Sequence, residues 1–480
     1  MKIAKVDGII FTTDNKMIGF GRSYGPYIIA NALRNTGLKI QVIEFFEYLT
    51  ENDLRAIAEK YVGDNTLFIG FSSTHFSLMN SYLDIISGKP SDYFPRSNDF
   101  MSEFFKIFEK KNNNIKYIYG GVNIENTLRK HSKIDYWVFD EAEKVVNILV
   151  NYQIKRDMKI FDNIIDCSDN LPENFHTVPM MWEDSDLLFP DEHIPLEIER
   201  GCPYNCIFCK HRKIRYEHNV KRIDVLRDEV TRNYELYGIK NYMLTDSTFN
   251  SNIKKTDLVC NLFVSLPFDI KFVSFARLDG FIKYPETREM LLEAGAEGLS
   301  FGIESLNPKT LEAIKKGPHP DIQMYMFDYL KEKWKDKIHI SCCFIAGLPY
   351  DNEDDIRKWF DYAKFDSPID VVNIKPLYIP KSMAFKRKSP LTLNPGKWGY
   401  KFLDGCNWIS ETSNMTFEKA IDLCDEIYKH RLVGHSYYNR LRNIGFSKDE
   451  TWSMEHILFA DEIEARKLQL KDKYIQRLLK

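Results

Sequence analysis

Residues 195–212 read PLEIERGCPYNCIFCKHR. An apolar strand pattern, PLEIERG, runs into a loop that gathers three of the chain's nine cysteines, Cys202, Cys206 and Cys209, within eight residues. The spacing is C-x3-C-x2-C, and Pro203 and Asn205 favour a tight turn. Such a loop lets three thiolates converge on one metal centre. Structural zinc wants four protein ligands, and His211 offers a fourth. An iron–sulfur cube held by three cysteines instead leaves one iron open to an outside ligand. Three core cysteines without a metal are the plain structural alternative.

Working outward, the chain of 480 residues is too long for one ordinary core, and its length suggests about three domains. Apolar residues make up 44% and charged residues 28%, the balance of a folded chain rather than a disordered one. Formal net charge is -3 and no basic block stands out, so nucleic acid gains little support as a partner. A peptide or small-molecule substrate fits better. The N-terminus lacks a signal peptide's apolar segment, and no run of eighteen apolar residues occurs, so no membrane span is expected. Nine unevenly spaced cysteines point to a reduced, cytoplasmic setting rather than a disulfide framework.

Strand-like and helical patterns alternate over residues 1–155, which predicts a Rossmann-like α/β domain with a parallel sheet. Residues 156–190 lose that rhythm and, with their prolines and acidic side chains, read as a linker. The alternation returns over 191–390: PLEIERG, NYMLTDS, DIKFVSFARLD, GLSFGIES, KIHISCCFIAGLP and DVVNIKPLY make six βα repeats, a partial barrel. Residues 391–480 read as a helical carboxy-terminal region, expected to close the open side of the barrel or, through its last helix, to self-associate.

The cysteine loop resembles that of the radical S-adenosylmethionine (SAM) enzymes, whose motif is C-x3-C-x-aromatic-C, with Phe208 as the aromatic in CPYNCIFC. The resemblance implies a 4Fe-4S cluster on Cys202, Cys206 and Cys209, with SAM bound at the open iron and cleaved to a 5'-deoxyadenosyl radical that removes a substrate hydrogen. It also implies an electron donor such as flavodoxin or ferredoxin. Phe208 would pack near the adenine. Asp246, Ser247 and Thr248 in MLTDSTFNSN, Arg277 in FARLDG, and Glu304 and Ser305 in GAEGLSFGIES match segments that contact SAM in this family. Ile345, Gly347 and Pro349 in FIAGLPYDNEDD match the segment that brings backbone close to adenine.

The first 150 residues resemble the B12-binding-type domain that precedes the core in one branch of the family, on GPYIIANALRNTGLKIQVIEF, LFIGFSS, YIYGGVNIE and FDEAEKVVNIL. The D-x-H-x-x-G motif that replaces the lower axial base is altered here to DNKMIG, with Lys16 at the histidine position. Cobalamin is therefore left open. Without it, the expected outcome is hydrogen abstraction from a peptide or small molecule, for example an epimerisation with Cys406 as hydrogen donor and Cys342 or Cys343 as alternatives. Adjacent strand residues face opposite sides, so only one of that pair can point into a barrel. With cobalamin, the outcome is methyl transfer to an unactivated carbon. A nucleic-acid-modifying enzyme and a non-catalytic binding protein are the remaining alternatives.

Overall fold

The structure is a computed structural model. It describes residues 5–13, 20–72, 98–121, 132–167, 175–209, 220–335, 337–379, 389–404, 407–428, 440–452 and 460–480. Lys16, His211 and Cys406 lie outside the described residues.

Two parallel six-stranded sheets account for the α/β expectation. The first comprises β1 (Gly8–Phe11), β2 (Ile40–Ile43), β3 (Phe68–Ser72), β4 (Lys116–Gly121), β5 (Tyr136–Phe139) and β6 (Ile164–Asp166). Its order is β2-β1-β3-β4-β5-β6, all parallel, with the order reversing between β1 and β3. β1 and β2 are buried along their whole length; β1 accordingly reads as an apolar run, while β2 carries one polar residue, Gln41, whose amide bonds to the Val42 and Ser185 carbonyls. β6 is a correction, because it falls inside the stretch 156–190 expected as linker. Three residues on a sheet edge, exposed-buried-exposed, leave no apolar run to recognise.

The rest of that stretch is not a loose connector either. Trp182 is fully buried against Tyr27, ring centroids 4.5 Å apart, and its carbonyl accepts from Arg232 Nη1 (2.8 Å) and Tyr237 Oη (3.0 Å). It thus pins helix Tyr24–Arg34 of the first sheet to helix Ile223–Tyr237 of the second. Arg34 pairs with Asp186 at 2.8 Å, and Arg22 with Glu192 at 2.7 Å, both largely out of water. Burying such pairs is costly unless both partners stay matched.

The second sheet contains β7 (His193–Leu196), β8 (Asn241–Leu244), β9 (Lys271–Ala276), β10 (Ala296–Glu304), β11 (His339–Ala346) and β12 (Val371–Pro376). Neighbours in sequence are neighbours in space from β7 to β12, all parallel, with β7 and β12 as its two edges, as in a partial barrel. Asparagines punctuate the returns: Asn252, Asn307 and Asn352 each cap the following helix through a side-chain oxygen.

After the barrel, a small antiparallel sheet of β13 (Tyr400–Asp404), β14 (Asn407–Ser410) and β15 (Met415–Thr416) adds strands to the helical carboxy-terminal region. Helix Phe417–Tyr428 packs against β12, covering one edge of the barrel. The last helix, Ala460–Leu479, goes elsewhere and docks on the first sheet's domain. Tyr474 is fully buried there, its hydroxyl donating to the Val42 carbonyl (3.3 Å) and accepting from the Glu44 N–H (3.2 Å). Lys467 and Glu47 form a buried pair at 3.4 Å beside it. Tyr474→Ala is expected to cost about 3–5 kcal/mol through the lost ring and its hydrogen bonds. Urea unfolding checks this, and a loss below about 1 kcal/mol would make the helix peripheral.

Candidate active site at the carboxyl ends of the barrel strands

Parallel strands all end on one side, so the loops that follow them share a mouth. The cysteine loop leaves β7 under tight control. Asp246, fully buried after β8, accepts the N–H groups of Ile198 and Glu199, both at 3.0 Å. Its other oxygen lies 3.5 Å from Lys255 Nζ. Gly201 then turns the chain with φ +94°, a conformation costly for any residue with a Cβ. Further on, the Ile207 N–H donates to the Ile314 carbonyl (3.2 Å) and its carbonyl accepts from Leu391 N–H (2.9 Å). The Cys209 N–H returns to the Cys206 carbonyl at 3.3 Å.

Anchored in this way, Cys202, Cys206 and Cys209 line one cavity of about 230 Å³. Of the other residues expected there, Phe208, Ser247, Thr248, Arg277 and Glu304 also line it. Others do not. Asp246 sits beneath the loop as its anchor, and Ser305 is buried with its hydroxyl accepting the Asn307 N–H at 2.9 Å. Ile345 packs on the core margin. The Gly347 carbonyl accepts from Tyr400 Oη (2.6 Å), and a Cβ on Gly347 would lie 2.3 Å from the Trp408 ring. The Pro349 carbonyl accepts from Thr310 Oγ1 at 2.8 Å. These three have packing partners at the end of β11 and are not among the cavity's lining residues.

Lining residues that the sequence reading had not named include Tyr204, Ser300, Gly302 and Lys316, and Cys343, named there as a barrel-facing alternative, joins them. Ser300 and Gly302 alternate along β10 and so share a face, and the bulge between Gly302 and Glu304 leaves the Glu304 side chain at the same cavity. The same alternation puts Cys343 at the cavity and buries Cys342 in the core. Lys316 had no such signal. It arrives because Lys315 adopts φ +57° after helix Pro308–Ile314 and turns the chain back.

The electrostatics are arranged as two ion pairs. Lys316 Nζ lies 3.0 Å from Glu304 Oε1. Burial works against the ammonium, but the Glu304 carboxylate outweighs it and holds the Lys316 pKa above its ordinary value. Glu304 itself has φ +69° at a bulge in β10, and a Cβ on Gly302 would come within 2.4 Å of its Oε1. Arg277 grips Asp279 through Nε and Nη2, 2.8 Å each, and lies 3.9 Å over the Tyr204 ring. Its Nη1 donates to Cys206 Sγ at 3.5 Å. Burial pushes the Tyr204 hydroxyl up to about 12, and burial followed by Glu304 raises the Cys343 thiol. Among the described residues no group of three or more His, Cys, Asp or Glu side chains is gathered as a single-ion site. Three loop thiols beside a cavity holding one ammonium and one carboxylate fit a cluster with one corner left for a zwitterionic ligand.

A second cavity, about 220 Å³, lies at the carboxyl ends of β3, β4 and β5 in the first sheet. Its walls are apolar, with Ile10, Ile29, Phe68 and Val138, and Gly70, Gly120 and Gly121 keep it open at the strand ends. Its rim includes Glu197 and Arg200 from the barrel side. Arg200, two residues before Cys202, pairs with Glu143 (2.6 Å), Glu197 (2.8 Å) and Glu141 (3.7 Å). One side chain therefore ties the cysteine loop to the first sheet's domain.

Behind the turn after β11, burial pushes the Asp351 carboxyl up to about 7, although Ser305 and the Trp359 indole N–H (3.3 Å) oppose it. The folded chain thus keeps a proton that the unfolded chain gives up above pH about 4. Stability from this group is full below that pH, falls as pH rises, and levels off above about 7, a span of about 4 kcal/mol at most. Asp351→Asn is expected to flatten this part of the pH dependence in urea unfolding. An unchanged slope between pH 4 and 7 would contradict it.

Residues 196–363 match the Radical SAM superfamily. An uncharacterized methyltransferase of Pyrococcus horikoshii is 26% identical over 392 residues, covering 76% of this chain and 78% of that one. The bacteriochlorophyllide d C-8(2)-methyltransferase of Chlorobaculum tepidum is 27% identical over 179 residues, 36% of this chain and 39% of the relative. Among solved structures, the radical SAM methyltransferase TsrM from Kitasatospora setae, with cobalamin and a 4Fe-4S cluster bound, shares the fold with TM-score 0.63 at 14% identity, covering 97% of this chain and 100% of that one. OxsB, a cobalamin-dependent SAM radical enzyme solved with aqua-cobalamin and SAM, gives TM-score 0.59 at 14% identity, over 98% of this chain and 80% of that one. No described helix is long and apolar enough to cross a membrane. The matched segment holds the three-cysteine loop and the strands whose ends surround it, and it follows a sheet domain of the kind those structures carry. The chain thus carries a radical SAM domain over residues 196–363, of a superfamily that uses a 4Fe-4S cluster and SAM, and its whole length shares a fold with those cobalamin-binding enzymes.

Proposed function

We propose that the chain is a cobalamin-dependent radical SAM methyltransferase acting on a small molecule. The observation that carries this reading is the pair of cavities at strand carboxyl ends, joined by the Arg200 ion pairs two residues from Cys202. Methyltransferases among the relatives favour methyl transfer over the epimerisation and peptide modification entertained from the sequence, for which nothing speaks.

In this reading residues 191–390 hold the cluster through Cys202, Cys206 and Cys209. When bound, the cluster supplies an electron for SAM cleavage and cobalamin a carrier for the methyl group. Glu304 would take the ammonium of SAM and Lys316 its carboxylate, which are the partners their charges suit. Ser247, Thr248 and Phe208 would contact the rest of SAM. Residues 1–155 would hold cobalamin in the apolar cavity, whose glycines at Gly70, Gly120 and Gly121 leave room for a flat group. Apolar walls exclude water there, and a reactive carbon species survives only where water and stray donors are kept out. Flavodoxin or ferredoxin remains the class of electron donor expected.

Anaerobic reconstitution with hydroxocobalamin and SAM carrying a labelled methyl group, followed by incubation with a small-molecule extract, tests the proposal. Cobalamin absorption retained after desalting and a labelled methyl in a product are the expected results. Absence of both sinks methyl transfer. Cys202→Ala, Cys206→Ala or Cys209→Ala is expected to remove the iron and all SAM cleavage, read by iron analysis and 5'-deoxyadenosine assay.

A further inference from the structure

We propose that Arg277 is a positioning residue for the cluster corner at Cys206 and raises the cluster's reduction potential, with Asp279 as the counterweight. The inference rests on the cluster being held by the three loop cysteines. It departs from the sequence expectation that Arg277 binds SAM.

The geometry leaves Arg277 little to offer SAM. A guanidinium has five N–H donors in a fixed fork. Nε and Nη2 are taken by Asp279 at 2.8 Å each, Nη1 donates to Cys206 Sγ at 3.5 Å, and the flat face covers the Tyr204 ring at 3.9 Å. Arg277 is only 6% exposed, so a fixed cation stands beside one ligating sulfur. Adding an electron makes a cluster more negative, and hydrogen bonds and positive charge at its sulfurs favour that state.

Pairing with Asp279 does not cancel the effect. The carboxylate lies behind the guanidinium, away from the Nη1 that reaches sulfur, and its side chain is 34% exposed against 6% for Arg277. Water screens the outer charge more than the inner one. Lys316 is a second cation in the same cavity, its side chain 13% exposed, held by Glu304. It makes no comparable bond to the thiol among those described, so Arg277 is the stronger lever.

The backbone role of Arg277 is separable. Its N–H donates to Asn250 Oδ1 (2.9 Å) and its carbonyl accepts from Asn250 Nδ2 (2.8 Å), and both bonds survive a side-chain substitution. Redox titration of the reconstituted cluster, monitored by electron paramagnetic resonance without SAM, tests the proposal on the full chain. Arg277→Gln should lower the reduced-to-oxidised ratio at a fixed solution potential about tenfold, 59 mV for one electron. Arg277→Lys should lower it less, and Asp279→Asn should raise it, with iron and sulfide content unchanged. Midpoints of Arg277→Gln and Asp279→Asn both equal to the parent, or both shifted the same way, would overturn it. So would loss of iron from Arg277→Gln with Asp279→Asn unshifted, since that assigns the side chain to cluster retention alone. A shifted potential in a chain that transfers no methyl group sinks only the methyltransferase reading. A parent chain that takes up no iron sinks the cluster on which the inference stands.

Discussion

Asp246 carries no cavity-facing chemistry, yet the arrangement of the site hangs on it. Its carboxylate, wholly out of water, accepts the two N–H groups that follow β7 and has Lys255 near its other oxygen. Buried carboxylates persist only when such partners are present. The reward is a cysteine loop that starts from a rigid point and not from a loose strand end. Three thiolates can share a metal cluster only when their loop is held to within fractions of an ångström. The Ile207 contacts to Ile314 and Leu391 brace the loop at its far end.

A second constraint acts at the seam between the halves. The core is continuous across it, running from Ile10 and Tyr27 through Trp182 to the barrel strands. Matched charges are embedded in that seam: Arg22 with Glu192, Arg34 with Asp186, Arg200 with Glu141, Glu143 and Glu197. Against a hydrophobic equivalent such pairs add little stability, but a shifted interface would strand each charge without its partner. They therefore define one relative placement of the two cavities. The terminal helix binds the first sheet's domain through Tyr474, Lys467 and Lys471, the last pairing with Asp53 at 3.2 Å, and its Arg477 donates to the Leu187 and Leu188 carbonyls beside the seam.

The cavity beside the thiols shows how backbone and charge cooperate. Glu304 in a left-handed conformation and Gly302 without a side chain both exist to let one carboxylate meet Lys316. Holding a non-glycine residue with positive φ costs of order 1–3 kcal/mol, and it persists where surroundings over-determine it. Arg277 and Asp279 form the matching pair on the other side of Cys206.

Local pattern alone was enough to determine the two parallel sheets, the six barrel repeats and the thiol loop. Apolar runs and C-x3-C-x2-C spacing are both short-range features. Strand alternation, with its fixed period, also narrowed Cys342 and Cys343 to one cavity-facing thiol, whereas Glu304 was named by the family resemblance. Contacts between distant segments were out of its reach. The edge strand β6, the burial of Trp182, the docking of the last helix on the first sheet, the turn of Lys316 into the cavity and the direction of Arg277 toward sulfur all depend on which surfaces meet after folding. The intrachain partners of Asp246, Ser305 and Gly347 were out of reach for the same reason: what a polar or glycine residue at a strand end packs against appears only after folding.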